Sequence, residues 1–267
     1  MKLLKISAIL VTTLGVTACV TNPITGRSSI QIANNSEIAT AAASEYKTTL
    51  SKAKIVTGTD ANRIKNVGNK IKNAAYNYYK QIGRESALAG YNWEFNLIQD
   101  PQLNAWCMPG GKVAFYTGIM PVCKDDNGVA VVMGHEVSHA LAGHGNERIS
   151  QAMLAQYGGS LLGGSMSNSQ WAGVFEKVYP IGAQVGLLAY GRKQESEADE
   201  MGLQIMAMAG YDPRTAVSFW QRMEASSTGT RQPEFLSTHP NPANRIADLN
   251  ADMPKALEYY KAAGGKL

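Results

Sequence analysis

The pentad His135-Glu136-Val137-Ser138-His139 restricts this chain's fold more than any other short stretch. Two imidazoles four positions apart can meet one ion when the backbone between them is helical, because i and i+4 share a helix face. The flanks agree: Val131, Val132, Ala140 and Leu141 can bury such a helix, and Gly134 admits a close neighbour. On that helix both histidines can hold a Zn²⁺ while Glu136, beside the first, reaches a metal-bound water. Without a metal, the same pair would be packing or capping histidines. Only four histidines and three cysteines occur in 267 residues, so two histidines at this spacing are informative.

A hydrolytic zinc needs a third protein ligand and an open fourth position. Glu195, in Glu195-Ser196-Glu197-Ala198-Asp199 on a second expected helix, is the candidate. Asp199 shares its face at i+4 and can accept the free N–H of a ligating imidazole, whereas Glu197 points elsewhere. The alternative is an acidic helix start favoured by the helix dipole. Cys107 and Cys123 precede the His135 helix on an expected hairpin and are either a disulfide or two separate buried thiols. His144 turns away from the metal face and reads as a cation or cap at the helix C-terminus near Gly145. His239 and Arg245 flank a proline-rich turn; composition alone makes them a loop histidine and an ion-pairing surface arginine.

At the other end of the chain, Lys2 and Lys5 precede an apolar run from Leu3 to Val16 that is too short to span a bilayer. Its ending, Val16-Thr17-Ala18-Cys19, resembles a bacterial lipobox. Residues 1–18 are therefore expected to be a lipoprotein signal peptide and Cys19 the lipidated residue, the alternative being an ordinary cleaved signal. Val20 in the next position favours the outer over the inner membrane, by analogy with sorting in enteric bacteria. Residues 19–35 are turn-rich and expected as an extended lead-in outside the core, with 36–267 forming one domain. Twenty-five basic and 21 acidic residues leave a formal +4 with no basic cluster interleaved by aromatics, which argues against a nucleic-acid partner.

Periodicity gives an α+β fold, mostly helical. Helices are expected from Ser36 to about Lys54 and from Asp60 to about Ile82, with Ser36 and Asp60 as caps. Three β-like runs near Trp93–Ile98, Ala105–Cys107 and Lys112–Thr117 make a small antiparallel sheet turning at Gly110-Gly111. Further helices are expected at about 129–144, 146–157, 170–190, 193–210, 213–225 and 241–262, the last broken at Pro254. Gly158 to Ser169 reads as a mobile loop or a close helix contact.

The His-Glu-Val-Ser-His helix, the Glu-x-x-x-Asp helix and the late His239-Pro240 together closely resemble the HtpX-like and Oma-like zinc metallopeptidases. This gluzincin family also contains the CAAX prenyl protease and periplasmic lipoprotein members such as BepA. The resemblance runs from about Asn22 to Asp248 and takes in Asn22-Pro23-Ile24-Thr25-Gly26-Arg27, Asn104-Ala105, Pro109-Gly110-Gly111 and His144-Gly145. It implies a gluzincin-type fold with one Zn²⁺ per chain on His135, His139 and Glu195, Glu136 as general base and Asp199 supporting a ligand. It also implies that Asn104 and Ala105 belong to an edge strand that pairs with substrate backbone. His239 and Arg245 would lie at the active site and stabilise the oxyanion; in some lipoprotein members the histidine instead takes the open zinc position and holds the enzyme latent. The implied function is a lipid-anchored periplasmic zinc endopeptidase acting on unfolded or misassembled envelope proteins, in a family whose members often work beside envelope assembly machinery. The alternative is a chaperone-like assembly lipoprotein silenced by His239.

Overall fold

The computed structural model describes residues 19–157, 168–178, 190–226, 233–240 and 244–267. In chain order its main elements are β1 (Cys19–Thr21), β2 (Ser28–Ile30), α1 (Asn35–Lys52), α2 (Thr59–Gln81), β3 (Glu94–Ile98), β4 (Ala105–Met108) and β5 (Lys112–Tyr116). Then follow α3 (Met120–Cys123), α4 (Asp126–Leu141), α5 (His144–Tyr157), α6 (Asn168–Val178), α7 (Arg192–Met208), α8 (Thr215–Ala225), α9 (Glu234–Thr238) and α10 (Arg245–Ala262). The fold is α+β and mostly helical, as periodicity indicates. The expected signal peptide and the segment Gly158 to Ser167 lie outside the described residues, as does the latter part of the helix expected to reach residue 190.

Helix α4 is the centre of the molecule. Asp125 caps it by accepting the Gly128 N–H at 2.9 Å, and every residue from Gly128 to Ala140 is buried. A helix apolar on all sides must be surrounded, and α2, α7, α8 and β4 enclose this one. Helix α7 approaches closest, because Gly134 of α4 crosses Gly202 of α7. A Cβ on Gly202 would stand 2.8 Å from the His135 backbone nitrogen, and one on Gly134 would stand 2.8 Å from the Gly202 carbonyl oxygen. The paired glycines let two backbones touch and so set how near α7 comes to the histidines.

The three-stranded sheet has the order β3-β5-β4 and is mixed, not wholly antiparallel as expected: β3 pairs parallel with β5, and β4 antiparallel with it. The turn at Gly110-Gly111, both at positive φ, folds β5 back between the other two strands and leaves β4 as an edge strand, free on its outer side among the described residues. Period-2 alternation cannot distinguish these orders, because it reports faces and not neighbours.

Three other expectations are corrected. The lead-in is not outside the core: β1 and β2 pair as an antiparallel hairpin, and Ile24 at its turn joins the main apolar cluster. Helix α1 is capped by Asn34, whose side chain accepts from Ser36 and Glu37, and α2 starts after Gly58. Pro254 lies inside α10 without ending it; the residue is exposed, so water can take the carbonyl that its missing N–H releases. Cys107 and Cys123 are both buried free thiols, and burial raises Cys107 and pushes Cys123 up to about 12. Cys19 is exposed at the start of β1, and no described helix is long and apolar enough to cross a membrane.

Candidate metal centre

Helical spacing brings His135 and His139 onto one face of α4 with their Nε2 atoms 3.0 Å apart. Helix α7 enters from the side and presents Glu195 in its first turn, with carboxylate oxygens 3.5 Å from His135 Nε2 and 3.4 Å from His139 Nε2. His239, just beyond α9, closes the group with Nδ1 at 3.2 Å from His135 Nε2 and 3.1 Å from Glu195 Oε1. All four side chains are buried, and they are the one group of His, Cys, Asp and Glu among the described residues able to hold a metal ion. Zinc bonds of about 2.0–2.1 Å in a tetrahedron put ligands roughly 3.3–3.4 Å apart, so the donor spacing fits that ion.

A surrounding set of polar groups holds these donors. Asp199, one turn beyond Glu195, receives His135 Nδ1 on Oδ1 at 2.9 Å. Arg245, at the start of α10, donates from Nε to Asp199 Oδ2 at 2.6 Å and from Nη2 to Glu195 Oε2 at 2.8 Å, with its guanidinium 3.8 Å from the Trp220 ring centroid. Burial pushes the Glu195 carboxyl up, but His239, His135 and His139 outweigh it and hold the group well below the usual carboxylate range. Glu136 goes the other way: burial dominates and raises it above an ordinary glutamate. Two carboxylates in one site thus have opposed tendencies, which suits one to binding and the other to proton transfer.

Glu136 Oε1 is buried without a hydrogen-bond partner among the described residues, 3.3 Å from His239 Nε2. It faces a small cavity lined by Asn104, Ala105, Cys107, Tyr190 and His239. Asn104 and Ala105 therefore lie where β4's free edge meets Glu136, and Asn104 Oδ1 accepts the Ala105 N–H at 2.9 Å. Tyr190 stacks on His139 with centroids 3.8 Å apart. Beyond it a groove of about 720 Å³ runs past Pro109, Gly110 and Ala39. Neither Tyr190 nor Phe235, which stacks on His239 at 4.6 Å, is marked by any spacing in the sequence.

His144 departs from expectation, and Glu197 has partners that its offset alone does not name. His144 is not an exposed C-terminal cap; it opens α5, is fully buried, and has Nδ1 2.8 Å from Nδ1 of His139. Glu197 points away from the metal face, as its offset requires, yet into a second buried polar cluster and not to solvent. A helix wheel gives the direction of Glu197, but it does not show what another element brings to either residue.

A helix carrying His-Glu-x-x-His, with a glutamate and an aspartate one turn apart on a second helix packed against it, defines a metallopeptidase domain. Residues 65–252 match the model of Peptidase family M48, and the chain belongs to that family. It is similar to the mitochondrial metalloendopeptidase OMA1 of Saccharomyces cerevisiae, at 35% identity over 74% of this chain and 57% of the yeast protein. It also resembles human OMA1, at 27% identity over 89% of this chain and 46% of that one, and the beta-barrel assembly-enhancing protease of Escherichia coli, at 30% over 58% and 33%. The chain thus spans about half the length of these relatives, or less.

Proposed function

We propose that this chain is a zinc-dependent endopeptidase with His135, His139 and Glu195 as metal ligands and Glu136 as general base. The observation that carries this is the buried Glu136 carboxylate, whose Oε1 has no hydrogen bond among the described residues, beside a four-donor cluster of tetrahedral spacing. Zn²⁺ held there supplies Lewis acidity, which polarises a peptide carbonyl and acidifies water. Glu136 accepts the proton that water gives up on attacking the carbonyl carbon and returns it to the leaving amine. Asp199 holds His135 in the tautomer that leaves Nε2 free to bind. Arg245, expected to meet the oxyanion, is better read as the clamp of Glu195 and Asp199, because Nε and Nη2 are both engaged by those carboxylates.

Pairing along β4 at Asn104 and Ala105 would require extended backbone, so the substrates are unfolded or misassembled polypeptides. The lipobox at Cys19 and the similarity to a beta-barrel assembly-enhancing protease support a lipid-anchored, periplasm-facing enzyme of envelope quality control, at the outer membrane and beside assembly machinery. Glu136→Gln should retain zinc and lose hydrolysis of unfolded casein by about 10²–10⁴-fold. Undiminished cleavage by that variant rejects the assignment.

The position of His239 Nδ1 favours a second reading, a resting state in which this histidine takes the fourth coordination position and keeps the site latent. His239→Ala should then cleave casein faster than the wild type while keeping its zinc. If the histidine serves instead to stabilise the charged carbonyl oxygen, the same variant is slower.

A further inference from the structure

The motif Asn22-Pro23-Ile24-Thr25-Gly26-Arg27 and the buried His144 have no part in the chemistry above, yet they meet. We infer that His144, Glu197 and Arg27 are positioning residues for His139, making the hairpin turn after Cys19 a component of the metal centre. This rests on the reading of His135, His139 and Glu195 as zinc ligands.

Binding a metal through Nε2 requires the His139 proton on Nδ1, and that N–H points at His144 Nδ1, 2.8 Å away. His144 must therefore accept there and carry its own proton on Nε2, which lies 2.9 Å from Glu197 Oε2 and donates to it. The whole direction of the chain is set by that carboxylate at its end. Glu197 is fixed in turn by the N-terminal hairpin: Asn22 Nδ2 and Thr25 Oγ1 each donate to Oε1 at 2.7 Å, and Arg27 Nε donates to Oε2. The other end of the Arg27 guanidinium grips Glu147 of α5 at 2.9 and 2.8 Å, so it ties the hairpin to the helix that carries His144.

The arrangement repeats on the neighbouring ligand in shorter form. His135 Nδ1 meets Asp199 directly, and Asp199 is pinned by Arg245. On His139 one imidazole is interposed, the carboxylate is Glu197 and the arginine is Arg27. Glu195, Glu197 and Asp199 thus place a ligand and the anchors of both histidines on the first two turns of α7. A polar cluster that served only to hold the hairpin would have no need to end on the distal nitrogen of a ligand. Partners of this kind are worth about 10–100-fold in metal affinity.

The test is zinc release to a chromogenic chelator from the full chain, with the d–d spectrum of the Co²⁺-substituted protein and the melting temperature of the chelated protein measured in parallel. His144→Phe and Glu197→Gln should release zinc at least about tenfold faster and shift the cobalt bands. His144→Asn, which can accept from His139 and donate to Glu197, should restore part of the difference. Arg27→Gln, at a partly exposed position, should release severalfold faster while the chelated form still melts cooperatively at a lower temperature, and it carries the test if the His144 variants do not fold. Wild-type release and cobalt spectra in folded Arg27→Gln and Glu197→Gln overturn the inference. Absence of stoichiometric zinc from the wild type would instead remove the ligand assignment beneath it.

Discussion

Arg245 shows what a single residue contributes here that a motif does not announce. It is almost wholly buried, bridges Asp199 and Glu195, and lies over the Trp220 ring. Removing one partner of a buried ion pair leaves uncompensated charge, so Arg245→Met should cost about 3–5 kcal/mol in urea denaturation. Arg245→Lys should recover little, because a lysine lacks the planar fork that reaches both carboxylates and stacks on the indole. At this scale His135, Glu136 and His139 were legible because one helical turn holds all three. His239, Arg245, Asn104 and Ala105 came only from resemblance, and the contacts of His144 and Glu197 from neither.

Between elements, the crossing of α4 and α7 decides whether Glu195 reaches the histidines. Gly202→Ala would place a Cβ 2.8 Å from the His135 nitrogen and 2.9 Å from the Gly134 carbonyl carbon. Backbone cannot rotate away as a side chain can, so the helices must part. The expected result is a loss of about 1–3 kcal/mol by denaturation together with weaker zinc retention in chelator competition. Gly173→Ala in α6 is the contrast: its Cβ meets nothing within 4 Å among the described residues, and helix propensity should make it neutral or stabilising by about 0.5–1 kcal/mol. Apolar periodicity located the long helices to within a few residues, but their caps fell at Asn34 and Gly58 and not at Ser36 and Asp60. Strand order was not legible, since parallel pairing of β3 with β5 depends on how the chain returns and not on the residues within either strand.

For the whole molecule, the N-terminal hairpin couples to the body through buried charge, and that makes folding pH-dependent. Burial raises Glu147, but hydrogen bonds from Arg27 and Gln194 outweigh it and hold the carboxyl below its ordinary 4.5. A depressed carboxylate stabilises the folded state above its unfolded pKa, and that share is lost as pH falls through the folded value. Stability of the chelated protein should therefore decline below about pH 4.5, and Glu147→Gln should flatten that decline while lowering stability at pH 7. Metal should add to stability by mass action, so chelation is expected to lower the melting temperature of the wild type.

Residues near one another along the chain determined the helix that carries two imidazoles and a carboxylate, because a 3.6-residue turn fixes their relative positions whatever surrounds them. Likewise, Glu195 and Asp199 share a face through their spacing alone. Packing decided how those two faces meet at 3.0–3.5 Å, where His239 enters, and which carboxylate stands behind each histidine. The contact of Gly134 with Gly202 sets how near the two faces come, a hairpin more than a hundred residues away in sequence supplies the partners of Glu197, and no local periodicity encodes a separation between elements.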